Sequence, residues 1–203
     1  MTIIQTTKAL NPRKERDEYP TPYDFVYSVC NHDLYNLIHN SDYILDPGCG
    51  SGVWGKAIKA VRPHAFITGV EINQEHVMNM SRVYDEFNMV DFTDPHFYPH
   101  QQSDLIIGNP PYSLAHEFIN KALQIVKPGG RVVFLLRLDF LASVKRYDMW
   151  YNTEGKPEIV RVSSSRISFD GSGKSDDTNY ALFQWIKAPV TSSTILSWFD
   201  WKR

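Results

Sequence analysis

The stretch Asp104-Leu-Ile-Ile-Gly-Asn-Pro-Pro-Tyr112 restricts this chain more than any other. Residues 104–107 read as a short buried strand, and the loop after them cannot be helical. Pro110 and Pro111 both lack an N–H, and each drives the residue before it into an extended conformation. Asn109 is therefore held extended at a strand's C-terminal end, with Tyr112 just past a rigid pair. In an open α/β sheet that edge is where ligands bind. An amide side chain, carbonyls without adjacent donors and an aromatic ring suit a flat substrate that bears an amino group.

The rest of the chain alternates strand and helix signals around this stretch. Residues 1–18 carry the mixed run Arg13-Lys-Glu-Arg-Asp-Glu18 and read as a solvated arm. Thr21 is a candidate helix cap with Pro22 at the first helical position. Phe25, Val26, Val29, Leu34, Leu37 and Ile38 fit one amphipathic helix, or two broken near Asn31. Strands are predicted at 43–46, 66–70, 89–91, 104–107 and 131–136. Helices are predicted at 53–61, from the Asn73 cap to about 87, and at 115–126, where Lys127-Pro-Gly-Gly130 stops the last. A helical patch over 140–150 and two more strands at 158–162 and 180–186 complete the pattern, with 163–179 as a loop. The prediction is a doubly wound, mostly parallel, seven-stranded Rossmann-like α/β sheet with an antiparallel last strand. Trp198-Phe-Asp-Trp201 reads as part of a docked tail over 191–203.

The 203 residues fit one main domain, and 42% hydrophobic content supports a full core. A net charge of −2 provides no global basic field for nucleic acid, although a local groove remains open. Two isolated cysteines, Cys30 and Cys49, make no disulfide framework and favour a reducing, cytoplasmic setting. No run approaches the ~20 apolar residues of a membrane span. The histidines show no metal-ligand spacing, so no metal is expected.

Three ligands compete for the glycine loop after the first strand. A phosphate loop fits Gly50-x-x-x-x-Gly55-Lys56, but Ala57 stands where a Mg²⁺-binding hydroxyl is needed. A dinucleotide site fits Gly50-x-Gly52-x-x-Gly55 with Glu71 about 20 residues on. The third ligand is S-adenosylmethionine, because Asp46-Pro-Gly-Cys-Gly-Ser-Gly52 resembles motif I of class I methyltransferases. Acidic positions at Asp46, Glu71 and Asp91 also suit a cationic sulfonium better than a pyrophosphate.

Together with Asn109-Pro-Pro-Tyr112, that loop resembles the amino-methyltransferases that modify exocyclic or amide nitrogens, and most of all the small phage-type DNA adenine-N6 methyltransferases. Tyr19-Pro-Thr-Pro22 is similar to the Thr-Pro element that such enzymes place before motif I. Ser168-Phe-Asp-Gly-Ser-Gly-Lys174 and Asn179-Tyr-Ala-Leu-Phe-Gln-Trp185 are similar to their late loop and final strand. The likeness covers residues 19–187, within a methyltransferase domain expected over 19–190. It implies cofactor contacts from Tyr19, Thr21, Pro22, Asp46, Pro47, Gly48, Cys49, Gly50, Glu71, Ile72, Asp91, Phe92 and Asn109. It implies catalysis by Asn109, Pro110, Pro111 and Tyr112, with Tyr112 stacked on the base. Phe169 becomes a second aromatic wall, while Arg137, Arg166 and Lys174 are candidates for substrate contact. Arg137 can equally pair with Asp139, and Phe169 can equally be a packed loop residue. The family usually adds a target-recognition domain, for which this chain has room only within 137–178. DNA is thus the expected partner, with RNA or a protein glutamine amide as alternatives and a non-catalytic nucleic-acid binder as the contrasting class. A monomer and a homodimer are both compatible.

Overall fold

The computed structural model describes residues 20–151, 155–169, 178–188 and 193–202. Among these, eight strands form one sheet: β1 (Tyr43–Pro47), β2 (Phe66–Val70), β3 (Glu86–Asn88), β4 (Leu105–Gly108), β5 (Arg131–Arg137), β6 (Ile159–Ser163), β7 (Tyr180–Ile186) and β8 (Ile195–Phe199). Their spatial order is β3-β2-β1-β4-β5-β7-β6-β8. β7 runs antiparallel to both β5 and β6, and the other pairings are parallel. Chain order reverses between β1 and β4. The loops leaving those two neighbours open side by side at the same edge, which is the ligand crevice of a doubly wound sheet.

Period-two alternation divides the core between the two faces. Ile44, Ile67, Leu105, Ile107, Val133, Leu135 and Leu182 face one way. There they meet α1 (Tyr23–Asn31), α2 (Tyr35–His39) and α3 (Val53–Val61). Leu45, Val70, Ile106, Val132, Phe134, Leu136 and Phe183 face the other way and meet α4 (Ala115–Ile125). The central residues of β5 are buried without a break, as a strand covered on both faces requires. A further short helix, α5 (Tyr147–Tyr151), follows two 3₁₀ turns, Leu138–Leu141 and Val144–Arg146, where one helical patch was expected.

Four other expectations are corrected. The helix begun by Asn73 is capped as foreseen, its side chain accepting from Glu75 N at 3.0 Å, but it is 3₁₀ and ends at Arg82. Asp85 explains the early exit. Its carboxylate accepts from Ile67 N and Lys59 Nζ, each at 2.8 Å, and its own N–H donates to Ile67 O. The chain is thereby locked to β2, and β3 forms at 86–88 rather than 89–91. Thr21 does not cap α1; Pro22 occupies the cap position without a side-chain bond.

The fourth correction is the eighth strand, where a seven-stranded sheet was predicted. β8 pairs parallel with β6 from Ile159–Ile195 to Ser163–Phe199. Phe199 is buried and packs 6.3 Å from Phe25, and Trp201 meets the same ring edge-on at 5.6 Å. Ile195, Leu196 and Trp198 stay exposed. Phe199→Ala should cost about 3 kcal/mol in urea denaturation, within the range for emptying a buried Phe site, whereas Trp198→Ala should stay within about 0.5 kcal/mol. Equal losses would show that β8 is not anchored through Phe199.

Candidate active site

The loop after β1 turns through Gly48, Gly50 and Gly52 at φ 64°, 50° and 77°, a region that side chains with a Cβ avoid. Four of its amides are already committed. Gly48 N and Cys49 N donate to Val70 O at 2.8 and 3.0 Å, Gly52 N to Cys49 O at 2.8 Å, and Gly50 N to Glu71 Oε2 at 2.8 Å. A phosphate cradle needs such N–H groups turned towards an anion. Lys56 reaches back to the loop's backbone, its Nζ donating to Ser51 O at 2.9 Å. The loop therefore does not fit a phosphate or pyrophosphate.

Acids dominate instead. Asp46, next to last in β1, has no exposed surface. Its Oδ2 accepts from the Tyr84 hydroxyl at 2.6 Å, while its buried Oδ1 has no hydrogen-bond partner among the described residues. Burial pushes the Asp46 carboxyl up to about 7, and nearby Glu71 adds to this, against the Tyr84 hydroxyl and the Gly55 amide. Glu71, also buried, is held by two amides: Gly50 N at Oε2 and Asn73 N at Oε1, both at 2.8 Å. Ile72 beside it is 61% exposed, an apolar surface at the sheet's ligand edge. Asp91 is half-buried and accepts on Oδ1 from Thr93 N and Thr93 Oγ1. Phe92 turns into the core, 5.0 Å from Phe118 and 6.2 Å from Phe97. A buried carboxylate oxygen without a partner among the described residues and three acids on or after β1, β2 and β3 fit a ligand carrying positive charge.

The second loop adjoins the first. Gly108, the last residue of β4, lies so close to Asp46 that a Cβ there would sit 3.0 Å from Oδ1. Asn109 follows, and its Nδ2 donates to Thr21 Oγ1 at 3.0 Å. Thr21 thus orients the Asn109 amide from 88 residues away in sequence. Tyr112 begins a 3₁₀ turn whose preceding residue, Pro111, is extended at ψ 125°. Its ring stands 6.0 Å from Tyr180, and Phe169 stands 4.9 Å from Tyr180 on the same side of the sheet. Burial first, and then Tyr180, push the Tyr112 hydroxyl above its usual range, so it stays protonated at any working pH.

A cleft of about 310 Å³ opens beside Tyr112, lined by Ser113, Leu136, Arg137, Asp139, Phe140 and Arg146. Arg137 lines this cleft with its side chain 45% exposed, and it pairs with Asp139 at 3.2 Å, as the sequence allowed. The Arg146 guanidinium lies 4.2 Å above the Phe140 ring, and its Nε donates to Phe140 O at 2.8 Å. Sequence reasoning counted Arg146 only as part of a mixed surface; its position within the lining depends on the irregular path after β5. Tyr84 was missed altogether. Arg166 is exposed outside this lining, and Tyr19 and Lys174 lie outside the described residues. Among the described residues no three His, Cys, Asp or Glu side chains gather as a metal site, and no helix is long and apolar enough to cross a membrane.

The fold and its switch-point site define a class I S-adenosylmethionine-dependent methyltransferase domain. The chain belongs to the family described as the methyltransferase small domain, which it matches over residues 32–142. It is 28% identical over 116 residues to the type II methyltransferase M.AccI of Acinetobacter calcoaceticus, covering 56% of this chain and 21% of that protein. It is 24% identical over 156 residues to the rRNA N(6)-adenosine-methyltransferase metl-5 of Caenorhabditis elegans, covering 68% of this chain and 73% of that one. A solved putative RNA methyltransferase from Pyrococcus horikoshii shares the fold with a TM-score of 0.64 and 18% identity, over 88% of this chain and 90% of its own. The first curated relatives are longer, and the matches span 21% to 40% of their length.

Burial of Asp46 gives a stability prediction. Its folded value, about 7, lies above the ordinary carboxylate value of about 4, so the folded protein binds this proton more readily than the unfolded chain does. The resulting stabilisation is full below about pH 4 and is lost as pH rises through about 7. Asp46→Asn should therefore raise the Tm of the ligand-free protein at about pH 8.5 and leave it nearly unchanged at about pH 5. Thermal melts at the two pH values check this, and equal shifts at both would remove burial as the cause.

Proposed function

We propose that this chain transfers a methyl group from S-adenosylmethionine to the N6 amino group of adenine in DNA. The observation that carries the reading is Asn109, fixed by Thr21 at the end of β4 and followed by two prolines and a half-buried Tyr112. An exocyclic amine conjugated to a ring is a poor nucleophile. Acceptance of its two N–H bonds by the Asn109 side-chain oxygen and the Pro110 carbonyl draws the nitrogen towards tetrahedral geometry and frees its lone pair. When bound, the cofactor supplies an electrophilic methyl on a sulfonium, whose sulfur keeps the electron pair of the broken bond. The amine's surplus proton passes to water. Tyr112 offers a ring face and a hydroxyl that does not ionise. Such a site accelerates transfer by positioning and by dipoles set in advance.

Asp46, Pro47, Gly48, Cys49, Gly50, Glu71, Ile72 and Asp91 would hold the cofactor, with Glu71 taking ribose hydroxyls and exposed Ile72 covering the adenine. Phe92 packs into the core beside Asp91. The cleft beside Tyr112 would receive a base swung out of its stack, with Arg137 and Arg146 at its rim. The DNA preference rests on the Tyr19-Pro-Thr-Pro22 and late-loop likeness and on the similarity to a type II methyltransferase. The extent of the likeness to an rRNA N(6)-adenosine-methyltransferase favours RNA as the second reading.

Labelled methyl transfer to unmethylated DNA and to matched RNA, with mass analysis of the nucleosides, separates the two. The expected product is N6-methyladenine in DNA. Methyl groups appearing in RNA alone would sink the DNA assignment. Asn109→Ala should lower kcat by about 10²–10³-fold, as losing a preorganised polar group at the reacting centre does. Thr21→Val should lower kcat about ten- to a hundred-fold with the substrate KM little changed, because it loosens only the Asn109 amide. Unchanged kcat in Thr21→Val would remove that latch from the mechanism.

A further inference from the structure

Tyr84 belongs to none of the motifs, yet three parts of the site close around it. It follows the 3₁₀ helix Gln74–Arg82 and is 4% exposed. Its ring lies between α3 and β2 in a slot that exists because Gly55 and Gly69 have no side chains. A Cβ on Gly55 would stand 2.6 Å from the ring, and one on Gly69 would stand 2.9 Å from it. Gly55 thus completes a Gly-x-Gly-x-x-Gly pattern for the sake of an aromatic ring rather than a pyrophosphate. The slot delivers the hydroxyl beneath the glycine loop, where it donates to Asp46 Oδ2 at 2.6 Å. A buried O–H···O⁻ bond of that length is charge-assisted and strong.

We propose that Tyr84 is a positioning residue for the methyl donor: through the Gly55–Gly69 slot it fixes and polarises the Asp46 carboxylate behind the loop that receives the cationic end of the cofactor. The titratable groups acting on Asp46 are the Tyr84 hydroxyl, Glu71 at the end of β2, the Cys49 thiol of the loop and the Cys30 thiol of α1. None of them is cationic, so no cation among the described residues offsets the charge. The Tyr84 hydroxyl is the donor side chain that favours the ionised form. Its loss leaves Asp46 easier to protonate near neutrality, and a protonated Asp46 offers no charge to a sulfonium or ammonium group.

Calorimetric binding of S-adenosylmethionine to wild type, Tyr84→Phe, Asp46→Asn and the double variant tests this between about pH 5.5 and 8.5. Tyr84→Phe keeps the ring in its slot. It should weaken binding about tenfold near pH 7, the scale of one lost charge-assisted hydrogen bond, and recover much of that loss at the alkaline end. In the Asp46→Asn background the same substitution should have no further effect, because it acts through the carboxylate. A Tyr84→Phe protein with wild-type affinity and pH profile overturns the proposal, and so do losses that add in full. Should Tyr84→Phe fail to fold, the wild type decides, since binding that does not weaken on acidification overturns it too. Absence of any binding by wild type would fall on the cofactor assignment and on Tyr84 together.

Discussion

A carboxylate shut away from water at the end of β1 is the constraint around which the site is built. Asp46 has no exposed surface, one strong side-chain hydrogen bond and one oxygen without a hydrogen-bond partner among the described residues. A buried charge in that condition is costly unless something compensates it. The protein supplies only part of that compensation. Tyr84 gives a hydroxyl, which needs Gly55 and Gly69 to reach it, and Gly108 lets β4 pass close by. Because β4 passes there, Asn109 emerges beside the cofactor loop. The β1–β4 pairing thus sets the two loops side by side with the buried Asp46 against Gly108.

Much of the scaffold was legible in the sequence. Proline pairs, glycine runs and continuous apolar strands act locally, and β1, β2, β4, β5, β6 and β7 fall within two residues of where those signals place them. What escaped depends on distant partners. β8 has most of its side chains exposed, so no burial periodicity marks it; backbone pairing to β6 and the Phe199 contact with Phe25 create it. The segment 73–85 has the composition of a helix, but Asp85 binds the start of β2 and pulls the chain out early. Thr21 reads as a cap because its hydroxyl and the next proline suit one, yet that hydroxyl accepts from Asn109 instead.

The site follows the same division. Asp46, Glu71 and Asn109 are recognisable because loop chemistry and strand ends locate them. Their supports are not, because Tyr84 and Thr21 lie 38 and 88 residues from the groups they hold. Arg146 enters the cleft lining only through two successive 3₁₀ turns. Phe92 shows the converse. Its place after an acid suggests a ligand wall, but Phe97 and Phe118 enclose the ring, and the exposed apolar surface near Glu71 belongs to Ile72.

The hydrogen-bond inventory of the glycine loop then discriminates between ligands more sharply than its sequence pattern does. The same glycine spacing serves nucleotides when the amides face outward as anion donors. Here Val70 O receives two of them, Cys49 O a third and Glu71 a fourth. With four donors turned inward and the buried acids Asp46 and Glu71 beside it, the loop is poorly suited to an anion. A ligand that enters must carry the positive charge itself, and a sulfonium bearing an amino acid does. The polarity of the loop, rather than its shape, separates a methyl donor from the dinucleotides that use the same fold.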